Sequence, residues 1–200
     1  MLAISEEFLS YQGEGTLTGT RMYFIRTQGC GVGCYFCDTK YTWKKEDAVV
    51  KEKDIAKRAK DSRCDIACIT GGEPAEQNLE KLIDCLHDQG LAVQIETSGM
   101  YYFDWMKKID HVVVSPKDLF AKKGIKADDR IMDIAEEYKC VVTKESDIDY
   151  YVNKLKNWEG GYKIFQPVDS SPEIAQLILE KEGINEWLLM CQQQAVLKLR

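Results

Sequence analysis

Apolar residues along the chain fall into two alternating kinds of run: short β-rich stretches and longer segments with a helical rhythm. The short runs predict strands at Met22 to Arg26, Asp65 to Thr70, Ala92 to Glu96, His111 to Ser115, Lys139 to Thr143, Tyr162 to Gln166 and Trp187 to Met190. The longer ones predict helices at Glu52 to Asp61, Glu76 to Gln89, Phe103 to Lys108, Asp128 to Tyr138, Ile148 to Trp158 and Pro172 to Gly183. Within Glu76 to Gln89, Leu79, Leu82, Ile83 and Leu86 stand at i, i+3, i+4 and i+7, the stripe by which a helix lies on a packed layer. Strand and helix alternate, so the fold class is α/β with a mostly parallel sheet, because a parallel pair needs a crossover long enough to hold a helix. No long Pro, Ser or Gly linker and no repeat divides the chain, and residues 1–200 read as one domain. The lysine-rich stretch Lys117 to Arg130 reads as a solvated loop.

Ligands of such sheets gather at the carboxyl ends of the strands. That places Thr27-Gln28-Gly29-Cys30, Thr70-Gly71-Gly72-Glu73-Pro74, Glu96-Thr97-Ser98-Gly99, Ser115-Pro116-Lys117 and Gln166-Pro167-Val168-Asp169 on one rim.

Composition narrows the class without changing it. The chain is 44% apolar and 30% charged, with four Pro and fourteen Gly, values of an ordinary globular protein and not of a disordered or fibrous one. A formal net charge of -6 argues against a surface built to track nucleic acid. The first residues carry no basic and apolar leader, and no strongly apolar run exceeds five residues, Trp187 to Cys191, so export and membrane spanning are not expected and the cytoplasm is.

Eight cysteines in such a chain call for a reading other than disulfides. Cys64, Cys68, Cys85, Cys140 and Cys191 are scattered through apolar segments and read as small hydrophobes. Cys30, Cys34 and Cys37 form a C-x3-C-x2-C run among Gly29, Gly31 and Gly33, after a strand. Thiolates so spaced suit a [4Fe–4S] cluster, which takes one thiolate per iron; three leave an iron open to chelate a small molecule. A closed zinc site would need a fourth ligand, and the two histidines, His87 and His111, lie far along the chain.

Cys30-Gly31-Val32-Gly33-Cys34-Tyr35-Phe36-Cys37 resembles the signature of the radical S-adenosylmethionine enzymes, with an aromatic residue before the third cysteine, and Thr70-Gly71-Gly72-Glu73-Pro74 looks like their second motif. Tyr11-Gln12-Gly13-Glu14-Gly15, Phe24-Ile25-Arg26, Cys37-Asp38-Thr39, Glu96-Thr97-Ser98-Gly99 and Ser115-Pro116-Lys117 are together similar to the 7-carboxy-7-deazaguanine synthase family, in order from about Tyr11 to Asp169. The resemblance implies a partial, abbreviated (β/α) barrel with few helices. It also implies ring contraction of 6-carboxy-5,6,7,8-tetrahydropterin with loss of ammonia, on the route to queuosine and related deazapurines. One electron would come from a flavodoxin- or ferredoxin-type donor, and the 5'-deoxyadenosyl radical released from S-adenosylmethionine, not a side chain, would abstract hydrogen. The resemblance implies a homodimer as well.

Carried over residue by residue, the resemblance assigns Cys30, Cys34 and Cys37 to the cluster and Thr39 to Mg²⁺. Phe36, Cys37, Asp38, Gly72, Ser115, Pro116, Lys117, Gln166, Pro167, Val168 and Asp169 fall to S-adenosylmethionine, and Tyr11, Gln12, Gly13, Glu14, Arg26 and Thr70 to the pterin. Arg26 would grip a carboxylate through its guanidinium fork. Plainer roles stand beside these: a surface salt bridge for Arg26, a turn cap for Thr39, a β-branched strand filler for Thr70, a loop lysine for Lys117, and for Glu73 support of the glycine turn. The family's Gln-x-His-like end is absent, since the chain finishes Gln192-Gln193-Gln194-Ala195 and onward without histidine. The competing functions are another small radical enzyme, such as a glycyl-radical activase, and a zinc or redox-sensing thiol module.

Overall fold

Strand residues alternate between two environments, and that alternation shapes the molecule. The computed structural model describes residues 1–44, 49–121 and 125–199. Nine strands form one sheet in the order β3-β1-β2-β4-β5-β6-β7-β8-β9. They are β1 (Leu2–Tyr11), β2 (Arg21–Thr27), β3 (Val49–Val50), β4 (Ile66–Gly71), β5 (Ala92–Thr97), β6 (His111–Val114), β7 (Glu137–Val142), β8 (Tyr162–Pro167) and β9 (Trp187–Leu189). From β2 to β9 every neighbouring pair is parallel; β1 runs antiparallel to both β2 and β3. The result is the abbreviated, unclosed barrel expected.

One face of the sheet is apolar. Ile25, Ala67, Ile69, Val93, Ile95, Val112, Val114, Cys140 and Val142 join a single core cluster with Ile55 and Ala59 of α1 (Glu52–Asp61), Leu82, Ile83 and Leu86 of α2 (Glu80–Asp88) and Ile148, Tyr151 and Leu155 of α3 (Glu145–Leu155). α4 (Pro172–Leu179) adds Ile178. The residues between them, among them Arg26, Thr70, Glu96, Lys139 and Gln166, belong to the other, concave face and line a cavity there.

Several expected elements differ. The strand β1 has no counterpart in the sequence reading, because Glu6-Glu7 interrupts its apolar pattern. Those neighbours serve opposite faces: Glu6 accepts from Arg26 Nε (2.7 Å), and Glu7 accepts from Tyr23 Oη (3.0 Å) and Arg58 Nη2 (2.6 Å). A register shift between Ile4 and Glu6 accompanies the change. The two-residue β3 is likewise unforeseen.

The helix expected over Asp128 to Tyr138 is a 3-10 turn at Asp129–Asp133, and Glu137 and Tyr138 already belong to β7. Phe103 to Lys108 is also 3-10, over Asp104–Lys108. The helix at Glu76 to Gln89 starts only at Glu80, because Gln77 is extended and spends its side-chain amide on Ala3 and Gln28 carbonyls, while Asn78 Oδ1 accepts from Glu80 N (3.0 Å). The helix expected from Ile148 begins earlier, at Glu145, where Asp147 accepts from the Thr143 and Lys144 amides. α4 stops at Leu179 and not at Gly183. Of the lysine-rich stretch, residues 122–124 lie outside the described residues; the remainder is anchored, since Asp118 accepts from Ala127 N (2.9 Å), Tyr150 Oη (3.0 Å) and the Lys154 ammonium. Cys191 is exposed, unlike the four scattered cysteines that are buried as expected. Among the described residues no helix is long and apolar enough to cross a membrane.

The apolar face sets the stability. Leu82→Ala, at a fully buried position, should cost about 2–5 kcal/mol in urea unfolding, whereas Leu179→Ala, 72% exposed, should stay within about 0.5 kcal/mol of the parent.

Candidate active site

The loop after β2 is held from several sides, which fixes where its cysteines lie. Gln28 is buried and its Nε2 donates to the Tyr41 (3.3 Å) and Lys44 (2.6 Å) carbonyls; Gly29 N donates to Thr42 O (2.7 Å), Gly31 N to Glu76 Oε1 (2.5 Å) and Cys37 N to Cys34 O (3.2 Å). Gly29 (φ 101°) and Gly33 (φ 69°) supply the left-handed turns that bend it. Cys34 is buried, Cys30 and Cys37 half-buried, and Cys34 lies within electrostatic reach of both others. Burial pushes the Cys30 thiol up against the backbone amides of Gly33 and Val32, and the Cys34 thiol up against the Lys117 ammonium. A bound iron would neutralise the thiolate charge that burial penalises here. Among the described residues no three His, Cys, Asp or Glu side chains gather as ligands of one ion. A cubane asks for less, one thiolate at each of three irons.

The end of β4 presses against this loop. A Cβ on Gly72 would stand 2.1 Å from Gly29 O and 2.9 Å from Cys30 Cβ, so only glycine permits the approach. Glu73 is buried and its carboxylate accepts from Thr97 Oγ1 (2.6 Å), Ser98 N (2.8 Å), Ser98 Oγ and Ala75 N (3.0 Å). It therefore joins the ends of β4 and β5 and supports the glycine turn.

Below this rim lies a charge network centred on the buried Lys139. Lys139 Nζ donates to Glu14 Oε2 and, at 3.5 Å, to Glu96 Oε1. Glu96 also accepts from Gln12 Nε2 (3.2 Å) and Thr70 Oγ1 (3.0 Å), and Glu14 Oε1 from Gln192 Nε2 (2.9 Å) and Gln194 Nε2 (2.7 Å). Burial alone would raise the Glu14 carboxyl, but the Lys139 ammonium and the hydrogen bonds to it hold the group well below its usual range. Burial would lower Lys139, yet Glu14 and Glu96 hold its ammonium firmly protonated. Gly13 has no room for a Cβ, which would stand 1.8 Å from Gln194 Oε1, so the C-terminal segment lies directly on the β1–β2 loop.

Network and cysteine loop surround one cavity of about 260 Å³. Every residue the sequence assigned lines it except Pro116, which is buried behind the rim with its carbonyl accepting from Tyr151 Oη (3.3 Å). Arg26 does make an ion pair, with Glu6, but on the concave face at 17% side-chain exposure and beneath Phe8, whose centroid is 5.6 Å from its Cζ. Thr39 does not cap the following turn with its side chain; its Oγ1 is 3.5 Å from Cys37 Sγ. Lys117 lies on Ser115, donating to its carbonyl (2.8 Å) and hydroxyl, and burial draws its ammonium down. Phe36 packs edge-on against Phe120 at 4.9 Å. Asp169, on the cavity wall, and Ser170 after it follow β8 at φ 51° and 53°, a left-handed pair without glycine. Three buried polar atoms of lining residues, Gln166 Oε1, Gln194 Oε1 and Trp43 Nε1, have no hydrogen-bond partner among the described residues.

The sequence reading assigned no role to Glu96, Lys139, Gln192, Gln194 or Trp43. Alternation carried the signal for two of them: Gln94-Ile95-Glu96 and Lys139-Cys140-Val141 put polar groups on the same face as Arg26 and Thr70. The two glutamines could not be found that way, because they reach the cavity from the far end of the chain.

A sequence model described as Radical SAM superfamily matches residues 24–141. The 7-carboxy-7-deazaguanine synthase of Buchnera aphidicola subsp. Schizaphis graminum is 33% identical, with 98% of each chain covered. That of Escherichia coli (strain K12) is 32% identical over the same shares. The crystal structure of QueE from Escherichia coli superposes with a TM-score of 0.84 at 30% identity, covering 96% of this chain and 94% of that one.

The Glu14 carboxyl is lowered on folding, so the stability it contributes is present above its unfolded value near 4.5 and is lost as pH falls toward about 2. Glu14→Gln should therefore flatten the fall of unfolding free energy below pH 4.5, read by urea melts across that window. At pH 7 it should cost about 3 kcal/mol, the low end for a broken buried pair because Glu96 still faces Lys139.

Proposed function

We propose that the cavity houses radical ring contraction of 6-carboxy-5,6,7,8-tetrahydropterin, since the chain belongs to the radical S-adenosylmethionine superfamily and, within it, to the 7-carboxy-7-deazaguanine synthase family. The observation that carries the assignment of roles is the meeting, around one cavity, of a three-cysteine loop and a buried Glu14–Lys139–Glu96 network. Cys30, Cys34 and Cys37 would hold the [4Fe–4S] cluster, which together with S-adenosylmethionine supplies the hydrogen-abstracting radical.

The protein's own work is binding and orientation. Phe36, Asp38, Gly72, Ser115, Lys117, Gln166, Pro167, Val168 and Asp169 form the wall assigned to the cofactor. Pro116 supports that wall from behind. Arg26, on the concave face with its Nε fixed by Glu6, keeps its Nη groups for the substrate carboxylate. Gln12, Gly13 and Glu14 with Tyr11, joined by Thr70, Glu96 and Lys139, present alternating acceptors and donors to a ring whose amide-like edge carries both. Charge of both signs at the bottom of a small cavity suits a small polar heterocycle better than a protein partner, which disfavours a glycyl-radical activase.

Thr39 offers Mg²⁺ one neutral oxygen. Hard Mg²⁺ needs water and an anionic ligand besides, so the ion would join only with the substrate carboxylate. A flavodoxin- or ferredoxin-type donor, a homodimer, the cytoplasm, and queuosine for tRNA modification as the eventual use of the product complete the reading, with residues 1–200 working as one domain.

Anaerobically reconstituted protein given reductant, S-adenosylmethionine and the carboxytetrahydropterin should form 7-carboxy-7-deazaguanine; cofactor cleavage without that product would overturn the substrate assignment. Arg26→Ala should raise the substrate KM by about tenfold or more, the scale of a lost charge-assisted bond, while uncoupled cofactor cleavage persists. Unchanged turnover would remove Arg26 from the site.

A further inference from the structure

The β1–β2 loop brings Gln12 and Glu14 to the cavity, yet it is a turn-rich segment with few apolar anchors. Beyond its contacts with Lys139 and the C-terminal segment, it is held by a carboxylate outside the cavity lining. Glu137, whose side chain is 0% exposed at the start of β7, accepts on one oxygen from Thr16 N (3.0 Å), Thr16 Oγ1 and His111 Nε2 (2.6 Å). Its other oxygen is buried with no hydrogen-bond partner among the described residues, and a Cβ on Gly15 would stand 2.3 Å from it. Gly15 also has φ 72°, so steric and conformational limits both demand glycine where the loop crosses this carboxylate.

Glu137 and Lys139 lie two residues apart on β7 and share its concave face, about 7 Å apart along the strand. Loop and strand therefore meet twice in step: Thr16 on Glu137 and Glu14 on Lys139. We propose that Glu137, seated by His111, is a positioning residue that latches the β1–β2 loop so that Glu14 and Gln12 stand ready for the substrate. This rests on the functional reading above for the identity of that substrate, but the latch itself is a matter of loop order.

Two readouts separate the two. In hydrogen exchange of the whole protein without substrate, Glu137→Ala should lose at least tenfold protection over residues 12–18, and Glu137→Gln, which keeps an acceptor for Thr16 and His111, should restore most of it. In turnover, Glu137→Ala should raise the pterin KM about tenfold with kcat within about threefold of the parent and S-adenosylmethionine affinity unchanged. His111→Ala, at a partly exposed site, is the companion variant should Glu137→Ala not fold, and should show the same pattern more weakly. Parent-like protection and KM in a folded Glu137→Ala or His111→Ala protein would overturn the latch, as would equal loss of pterin and S-adenosylmethionine binding. A parent protein inactive on the pterin would overturn the functional reading alone, leaving exchange to decide the latch.

Discussion

An ammonium group buried on the concave face of a sheet must be neutralised where it stands, because an unpaired buried charge costs several kcal/mol. Lys139 imposes that condition, and much of the molecule answers it. Glu96 reaches across from β5, two strands away, Glu14 from the β1–β2 loop, and the two glutamines from the C-terminal segment saturate the remaining oxygen of Glu14. Segments 178 and 180 residues apart in sequence are thereby drawn to one carboxylate. The polar network needs a dry, fixed setting, and the apolar face of the same sheet, packed under helices, provides the rigid backing.

The same sheet serves the rim. Parallel strands deliver their carboxyl ends to one side, and close backbone contact between Gly72 and Gly29 holds the cysteine loop against the end of β4. Glu73 then ties that junction to β5 through Thr97 and Ser98. The cysteine loop and the ends of β4 and β5 are thus one piece of backbone geometry, set by sterics and a single buried carboxylate.

Much of this was legible beforehand. The cysteine run and the glycine turn are local motifs, and the parallel core followed from strand and helix alternation. Boundaries failed where a side chain competed with the helix, as at Gln77 and Asn78, or where the crossover shrank to a 3-10 turn, as at Asp129–Asp133. The strand β1 was hidden because Glu6 and Glu7 look like a solvated pair until each is seen to serve its own face. Lys139 was visible in principle, as a charge at an alternate position of an apolar strand. Gln192 and Gln194 were not, because nothing local distinguishes a glutamine-rich tail that folds over a site from one that does not.

The antiparallel addition at one edge has an evolutionary consequence. Most groups proposed for the cofactor follow the parallel strands, whereas much of what is proposed to face the substrate rides on the β1–β2 loop and the tail that rests on Gly13. Such a division lets specificity drift by exchanging two peripheral segments while the radical-generating half stays intact, so diversification of chemistry on this scaffold need not reopen the problem of assembling its cluster.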